Sequence, residues 1–311
     1  MPERVAYVNG WVGPESQASI SIYDRGFLSG YGVFERTRTI HGELFRLDEH
    51  LARLYRSLRV TRLDSAMSRD ELRAVTIDLV ARNRKLLGPN DDYSVGHYVT
   101  RGQEGSGRPT VVVFCQPIQF KTFARQYIDG AHVVIPSTRQ MDTQMVDPKL
   151  KTTSRIHQML AEQEARLVDP QAYALVLDLA GNVCEAFPGH NFWIVDGGTI
   201  VSPKSQAILR GITRDVLVEV AQKIGAPVKE ADIQVYDVIN AQEAFLSGTS
   251  RCIVPVTRVN GIPIGDGTPG PMMKQLTKAW VECFGLDFVQ QALSHLQDDA
   301  PHTQRGGPGK V

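Results

Sequence analysis

The 311-residue sequence has no excess charge of either sign, with Lys+Arg and Asp+Glu at 34 each. Net charge therefore gives no support for a nucleic-acid or polyanion partner. Cysteine is scarce: Cys115, Cys184, Cys252 and Cys283 lie too far apart for zinc-type spacing or a dense disulfide framework. No metal is expected, and a reducing cytoplasm is the expected compartment. No apolar run is long enough to cross a bilayer. Met1-Pro2-Glu3-Arg4 leads directly into strand-like sequence without a signal-peptide apolar region, so no membrane association is expected. A Walker-type glycine-lysine loop is missing, which argues against an ATPase. There is no internal repeat.

What is present is an ordinary globular composition, 42% hydrophobic, on a chain long enough for two cores. Strand and helix patterns mix along its length, giving an α/β (α+β) class. Val33–Ile40 alternates like a strand, and His41-Gly42 turns it into Glu43–Arg46. Asp48 is a natural N-cap for a helix carrying Leu51, Leu54, Tyr55 and Leu58 on one face. Ser68-Arg69-Asp70-Glu71 has the form of a capping box before Leu72, Val75, Leu79 and Val80. Two strands, Tyr93–Thr100 and Thr110–Cys115, flank a glycine-rich loop. These patterns predict a small N-terminal α/β domain over 1–120, a linker at 121–127 and a larger C-terminal domain over 128–297. The second domain should contain helices over Thr153–Leu167 and Thr213–Ile224, with Ile156, Met159, Leu160 and Leu167 of the first facing inward. Its strands are expected near Ala131–Ile135, Ala172–Leu177, Phe192–Val195, Glu243–Leu246 and Cys252–Val256. Met272–Cys283 should be the final helix, and the Gly-, Pro- and polar-rich tail 298–311 is expected to be disordered.

Two residues stand out for chemistry. Most lysines are solvated surface groups, as expected for Lys149. Lys151 instead follows Val146-Asp147-Pro148 at the mouth of a helical pattern, where a side chain can enter a cleft between layers. There burial or a nearby cation would supply a neutral, nucleophilic amine. Glu185 closes the strand-turn segment Leu177–Glu185, a place where a carboxylate could hold a ring nitrogen protonated. Two loops that follow have the form of anion cradles. Leu209-Arg210-Gly211-Ile212-Thr213-Arg214 opens a helix, whose free N–H groups and dipole suit a phosphate beside the Thr213 hydroxyl. Ser247-Gly248-Thr249-Ser250 ends a strand. Capping alone could explain Thr213, and a simple turn could explain Gly248-Thr249.

The order of these elements resembles the fold-type IV (class IV) pyridoxal-phosphate aminotransferases. Val8-Asn9-Gly10, Asp24-Arg25-Gly26, Gly32-Val33-Phe34-Glu35, Leu44–His50, Arg53-Leu54, Gln163-Glu164-Ala165, Asn191-Phe192 and Ile253–Val256 extend the likeness from about Val8 to Phe284. The resemblance implies two α/β domains with pyridoxal 5'-phosphate between them. Lys151 would be the catalytic tether and Glu185 the partner of the pyridine nitrogen. Arg53, Leu209, Gly211, Ile212, Thr213 and Thr249 would complete the cofactor site. It also implies at least a homodimer, with small-molecule partners: an amino donor and a 2-oxo acid acceptor reacting by a ping-pong mechanism.

Three departures bear on the substrate. The turn Ala186-Phe187-Pro188-Gly189-His190 is longer and bulkier than the family's glycine-rich one. Ile156 stands where branched-chain enzymes carry a tyrosine, and Arg251 stands where many relatives have an acid. Phe34, Arg36 and Arg38 share one face of a strand. An arginine entering the pocket would meet a substrate carboxylate. Phe34, Arg38 and Ser250 are therefore the candidate substrate residues, with Phe34, Phe187 and Ile156 as an apolar wall. Aminotransfer from a hydrophobic, branched-chain-type amino acid or amine is the expected activity. A D-amino-acid or (R)-amine transaminase, an aminodeoxychorismate lyase and a non-catalytic cofactor binder are the alternatives.

Overall fold

The chain, seen in a computed structural model that describes residues 3–297, is organised around two sheets. The tail expected to be disordered lies outside the described residues. The first sheet contains β1 (Val5–Val8), β2 (Trp11–Pro14), β3 (Gly32–Ile40), β4 (Glu43–Phe45), β5 (Tyr93–Thr100) and β6 (Thr110–Pro117). Its order is β2-β1-β6-β5-β3-β4, antiparallel throughout. The short α1 (Arg25–Ser29) precedes β3, while α2 (Leu47–Thr61) and α3 (Arg69–Arg84) cover the sheet. Leu51, Leu54 and Leu58 of α2 and Leu72, Leu79 and Val80 of α3 are buried against Val33, Val95 and Val113. The capping box forms as expected: Ser68 and Glu71 bond reciprocally at the start of α3.

The second sheet has nine strands: β7 (Ala131–Val134), β8 (Tyr173–Leu177), β9 (Val183–Phe187), β10 (His190–Asp196), β11 (Thr199–Pro203), β12 (Val228–Ala231), β13 (Glu243–Gly248), β14 (Cys252–Val259) and β15 (Ile262–Pro263). Pairing runs β12-β11-β10-β13-β14-β7-β8-β9, and β9 returns to β10, so part of the sheet closes on itself. Around it lie α4 (Gln126–Asp129), α5 (Ile156–Val168), α6 (Ile212–Lys223), α7 (Val235–Asn240), α8 (Pro271–Phe284) and α9 (Phe288–Gln297). Val216, Leu217 and Val220 of α6 and Leu276 and Trp280 of α8 are buried in the larger core with Phe192, Trp193 and Phe245.

Several expectations need correction. Helix α2 starts one residue before Asp48: Arg46, in left-handed geometry at φ 54°, is its N-cap, and Asp48 sits in the first turn. Met272–Cys283 is not the last helix, because α9 follows. Helix α5 begins at Ile156, and its apolar residues point the other way from expectation. Ile156 (72% exposed), Leu160 (49%) and Leu167 (89%) face outward, while Ala161 and Ala165 are fully buried. Small side chains let this helix lie close on β8 and β9, and bulkier ones on that face would hold it off.

The segment before α5 is extended and docks on β3. Strand β4 covers only Arg38–Ile40 of that edge. The exposed start of β3 is taken instead by residues 151–153: Phe34 N–H donates to the Lys151 carbonyl at 2.9 Å and Thr153 N–H to the Gly32 carbonyl at 3.0 Å. Thr153 and Ser154 hydroxyls both reach the Gly30 carbonyl. Gly30 has φ 67°, and a Cβ there would lie 2.4 Å from the Ser154 hydroxyl. Backbone pairing thus fixes Lys151 at the junction of the two sheets.

Candidate active site

Lys151 faces a narrow cavity of about 50 Å³ that Glu185, Phe34, Phe187 and Leu209 also line. Its Nζ stands 4.7 Å over the Phe34 ring. Burial, with Arg53 and Arg155 nearby, pushes its pKa down to about 8, against the opposing pull of Glu35 and Glu185. Lys149, two residues away, pairs with Asp147 at 2.8 Å in a partly exposed setting, as expected of a surface lysine.

Glu185 lies on β9, opposite Asn191 of β10, and is buried. Gln140 Nε2 donates to it at 2.7 Å. Burial nevertheless outweighs that bond and raises its pKa to about 7. No sequence motif marks Gln140. The hairpin after Glu185 contains a cis Phe187–Pro188 bond. Both bulky residues of this turn are buried: Phe187 walls the Lys151 cavity, and His190 lines the adjoining one.

The first cradle is built as a helix N-terminus. Gly211 is the N-cap of α6, with no side-chain cap, leaving the first-turn N–H groups of Ile212, Thr213 and Arg214 without intrahelical acceptors. Gly211 is required by space, since a Cβ would lie 2.1 Å from Asn191 Oδ1. Asn191 Nδ2 in turn donates to the Leu209 carbonyl at 2.9 Å, holding the loop. Arg53, buried on α2, reaches the same loop through Nη1 to the Arg210 carbonyl at 2.6 Å. Two groups outside the expected site residues support it. Glu35 binds Arg53 through two hydrogen bonds at 2.7 Å, and His50 lies 3.2 Å from the same carboxylate. Strand periodicity could have found Glu35, because it projects opposite to Phe34, toward α2.

Thr249 and Ser250, following β13, line the second cavity of about 320 Å³ together with Phe34, Arg36, Tyr98, Lys151, Arg155, His190 and Arg251. Lys151 and Phe34 are shared by both cavities. Two expected contributors are elsewhere. Arg38 shares the Phe34 face but is buried beyond the pocket, paired with Asp92 at 3.2 Å and bonded to the Ser250 carbonyl, Cys252 Sγ and Gln291. It fastens the first sheet to the turn that follows β13 in the second and has no donor facing the cavity. Ile156 points to the surface and forms no part of the wall, which consists of Phe34, Phe187, Met141, Val146 and Leu150.

A desolvated amine, a carboxylate held near neutrality and a helix N-terminus whose capping glycine leaves no room for a side chain fit pyridoxal 5'-phosphate. The fold and this donor set define a fold-type IV pyridoxal-phosphate enzyme. Residues 32–259 match the family described as Amino-transferase class IV. The chain is 32% identical to a putative branched-chain-amino-acid aminotransferase of Methanocaldococcus jannaschii, over 87% of this chain and 93% of the relative. It is 30% identical to a D-alanine aminotransferase of Listeria monocytogenes, over 91% and 99%. Among solved structures it resembles a T.th. branched-chain amino acid aminotransferase with pyridoxamine 5'-phosphate, with TM-score 0.82, 26% identity and coverage of 91% and 94%. The Escherichia coli branched-chain enzyme shares the fold, with TM-score 0.83, 24% identity and coverage of 91% and 95%. The chain belongs to the class IV aminotransferase family, and it is a pyridoxal-phosphate-dependent transaminase.

Proposed function

We propose that this transaminase moves an amino group between a hydrophobic, branched-chain-type amino acid or amine and a 2-oxo acid, with Lys151 as its catalytic residue. One observation carries the assignment of the centre. Lys151 and Glu185, on separate elements, face one cavity, and burial moves both pKa values toward neutrality. When bound, pyridoxal phosphate supplies the aldehyde that accepts the amino group and the ring that withdraws electrons. Lys151 would be the amine that holds that aldehyde and, as a free amine, would carry a proton to or from the substrate carbon. Glu185 would hold a proton at the ring nitrogen. Arg53, Thr213, Thr249 and the N–H groups following Gly211 would hold the phosphate, with Leu209 and Ile212 completing the cofactor site.

The apolar wall of Phe34, Phe187, Met141 and Val146 supports a hydrophobic donor side chain. The structural likeness to branched-chain enzymes agrees with it. A second reading, D-amino-acid or (R)-amine specificity, has the similarity to D-alanine aminotransferases in its favour. A screen of L-branched, D- and (R)-amine donors, followed by the change in cofactor absorbance on mixing, separates them. Bleaching with L-leucine or L-valine is expected, and no response to any L-branched donor removes the first reading.

We also propose a homodimer. Ile22, Tyr23, Phe27 and Leu28 form an exposed apolar stretch, with Phe27 68% exposed. The stretch is held in place, because buried Asp24 accepts from Gly26 N–H and from Thr100 at 2.7 Å. An ordered apolar surface of this kind calls for a cover, and a second copy supplies one. No helix of the described residues is long and apolar enough to cross a membrane. The four cysteines are all free, which supports a cytoplasmic location.

A further inference from the structure

Thr249, Ser250 and Arg251, the turn between β13 and β14, line the cavity of about 320 Å³ beside Lys151. The turn is weakly held from within. Its bond from Arg251 N–H to the Gly248 carbonyl is long, 3.3 Å. Cys252, which closes it, has φ 54°, a left-handed backbone that residues other than glycine seldom adopt. Such a conformation persists where surrounding contacts over-determine it.

Those contacts come from behind the turn. Arg38 of β3 donates through Nη1 to the Ser250 carbonyl at 3.3 Å and to Cys252 Sγ at 3.2 Å. The Tyr127 hydroxyl of α4 donates to the Arg251 carbonyl at 2.6 Å. Two consecutive carbonyls are thus taken by one residue of the first sheet and one of the segment joining the sheets.

Both donors are themselves fixed. Arg38 is buried, with Nε on the Thr39 carbonyl at 2.8 Å and Nη2 on Asp92 at 3.2 Å and Gln291 Oε1 at 3.1 Å. Asp92 also accepts from the Thr39 hydroxyl at 2.6 Å, Gly42 N–H at 3.0 Å and Gln291 Nε2 at 2.8 Å. A buried network so fully satisfied rigidifies its members in one arrangement, here including α9 through Gln291. The Tyr127 ring packs 6.0 Å from Phe123 and 5.5 Å from Phe288, and burial keeps its hydroxyl protonated, with a pKa well above the ordinary value.

Holding the sheets together would not require these particular acceptors, which belong to residues lining the cavity. We propose that Arg38 and Tyr127 are positioning residues of the transaminase site: they set the 249–251 turn against Lys151, so that the site's geometry follows from how β3 and α4 dock on the second sheet. This rests on the proposed place of Thr249 at the phosphate and Ser250 at the substrate, and names what holds both.

Tyr127→Phe removes one oxygen and keeps the ring, while Arg38→Lys keeps a charge beside Asp92 but loses the planar fork that also reaches Ser250. Both are compared with the parent, with Thr249→Ala and with Gly225→Ala, a change just beyond α6. The measurements are thermal unfolding, titration of cofactor-free protein with pyridoxal phosphate, and the stopped-flow half-reaction with L-leucine. In each positioning variant the L-leucine concentration giving half the limiting rate should rise about five- to tenfold, the range of one lost hydrogen bond. Pyridoxal phosphate affinity should fall about threefold or more, through Thr249. Gly225→Ala should move the melting temperature alone. Parent values for both ligands in Tyr127→Phe, or in folded Arg38→Lys, overturn the proposal even where the melting temperature falls. Should Arg38→Lys not fold, Tyr127→Phe decides alone. If Thr249→Ala also keeps parent values, the turn serves neither ligand, and the reading beneath the proposal fails with it. Should L-leucine not react with the parent, the branched-chain reading fails while the pyridoxal phosphate titration still decides the positioning role.

Discussion

Glu35 holds Arg53 by both carboxylate oxygens: Oε2 accepts from Nε and Oε1 from Nη2, each at 2.7 Å. Both groups are buried, and the pair lies behind the loop that starts α6. Arg53 and His50 together hold the Glu35 carboxyl well below its ordinary range despite burial. Glu35→Gln would leave Arg53 charged, buried and half-partnered, a change costing on the order of 3 kcal/mol. A lower melting temperature is expected, together with faster loss of cofactor on dialysis, measured by residual absorbance. Unchanged cofactor retention would mean that Arg53 does not serve the phosphate.

Glu185 gives a pH signature in the cofactor-free protein. Its folded pKa of about 7 lies above the ordinary 4.5. The folded state therefore keeps a proton that the unfolded state gives up, and this contribution to stability declines as pH rises from 4.5 through 7. Thermal unfolding across that range should show the decline in the parent protein and lose it in Glu185→Gln. The same variant should have sharply lower turnover, because an amide cannot hold the ring proton as a carboxylate does.

The amine of Lys151 should react at a lower pH than a free lysine. With a pKa of about 8, its neutral fraction grows up to that pH and then levels off. Stopped-flow uptake of pyridoxal phosphate by cofactor-free protein should follow that curve. A rate still climbing steeply past about pH 9.5 would place the reacting amine in ordinary solvent, where a lysine titrates near 10.4.

Gly211→Ala forces a methyl group to within 2.1 Å of Asn191 Oδ1 unless something moves. Displacing Asn191 breaks its bond to the Leu209 carbonyl and loosens the turn before α6. A destabilisation of about 1–3 kcal/mol is expected, with weaker cofactor binding by titration. Gly225→Ala, where a Cβ meets nothing but φ is 69°, supplies a control that costs stability without touching cofactor affinity.

Much of this site is legible in the chain alone, for a physical reason. Gly211 and Thr249 sit at the ends of regular elements, Glu185 lies on the short β9 just past a turn and Lys151 in the segment leading to α5, and such places carry local signals: a glycine, a cap or a break in periodicity. The residues that escape a sequence reading work through long-range contacts. Gln140 reaches Glu185 across 45 residues, and nothing near it in sequence announces this. Arg38 does lie on the expected strand face, but whether that face still opens on the pocket depends on Asp92, Cys252 and Gln291. Helix α5 misleads because its apolar periodicity is real while its docking face is made of alanines. Ile156, Leu160 and Leu167 face outward from this chain's own core. The segment at 151–153 docks on β3 through its backbone, which leaves no trace in residue type.

The covalent role of Lys151 is tested most directly by reducing cofactor-loaded protein with borohydride, which fixes the pyridoxyl group to the amine that carries it, and mapping the modified peptide by mass spectrometry. Modification at Lys151, with Lys149 untouched, is the expected result. A pyridoxyl group on Lys149 or any other lysine, with Lys151 bare, would contradict it.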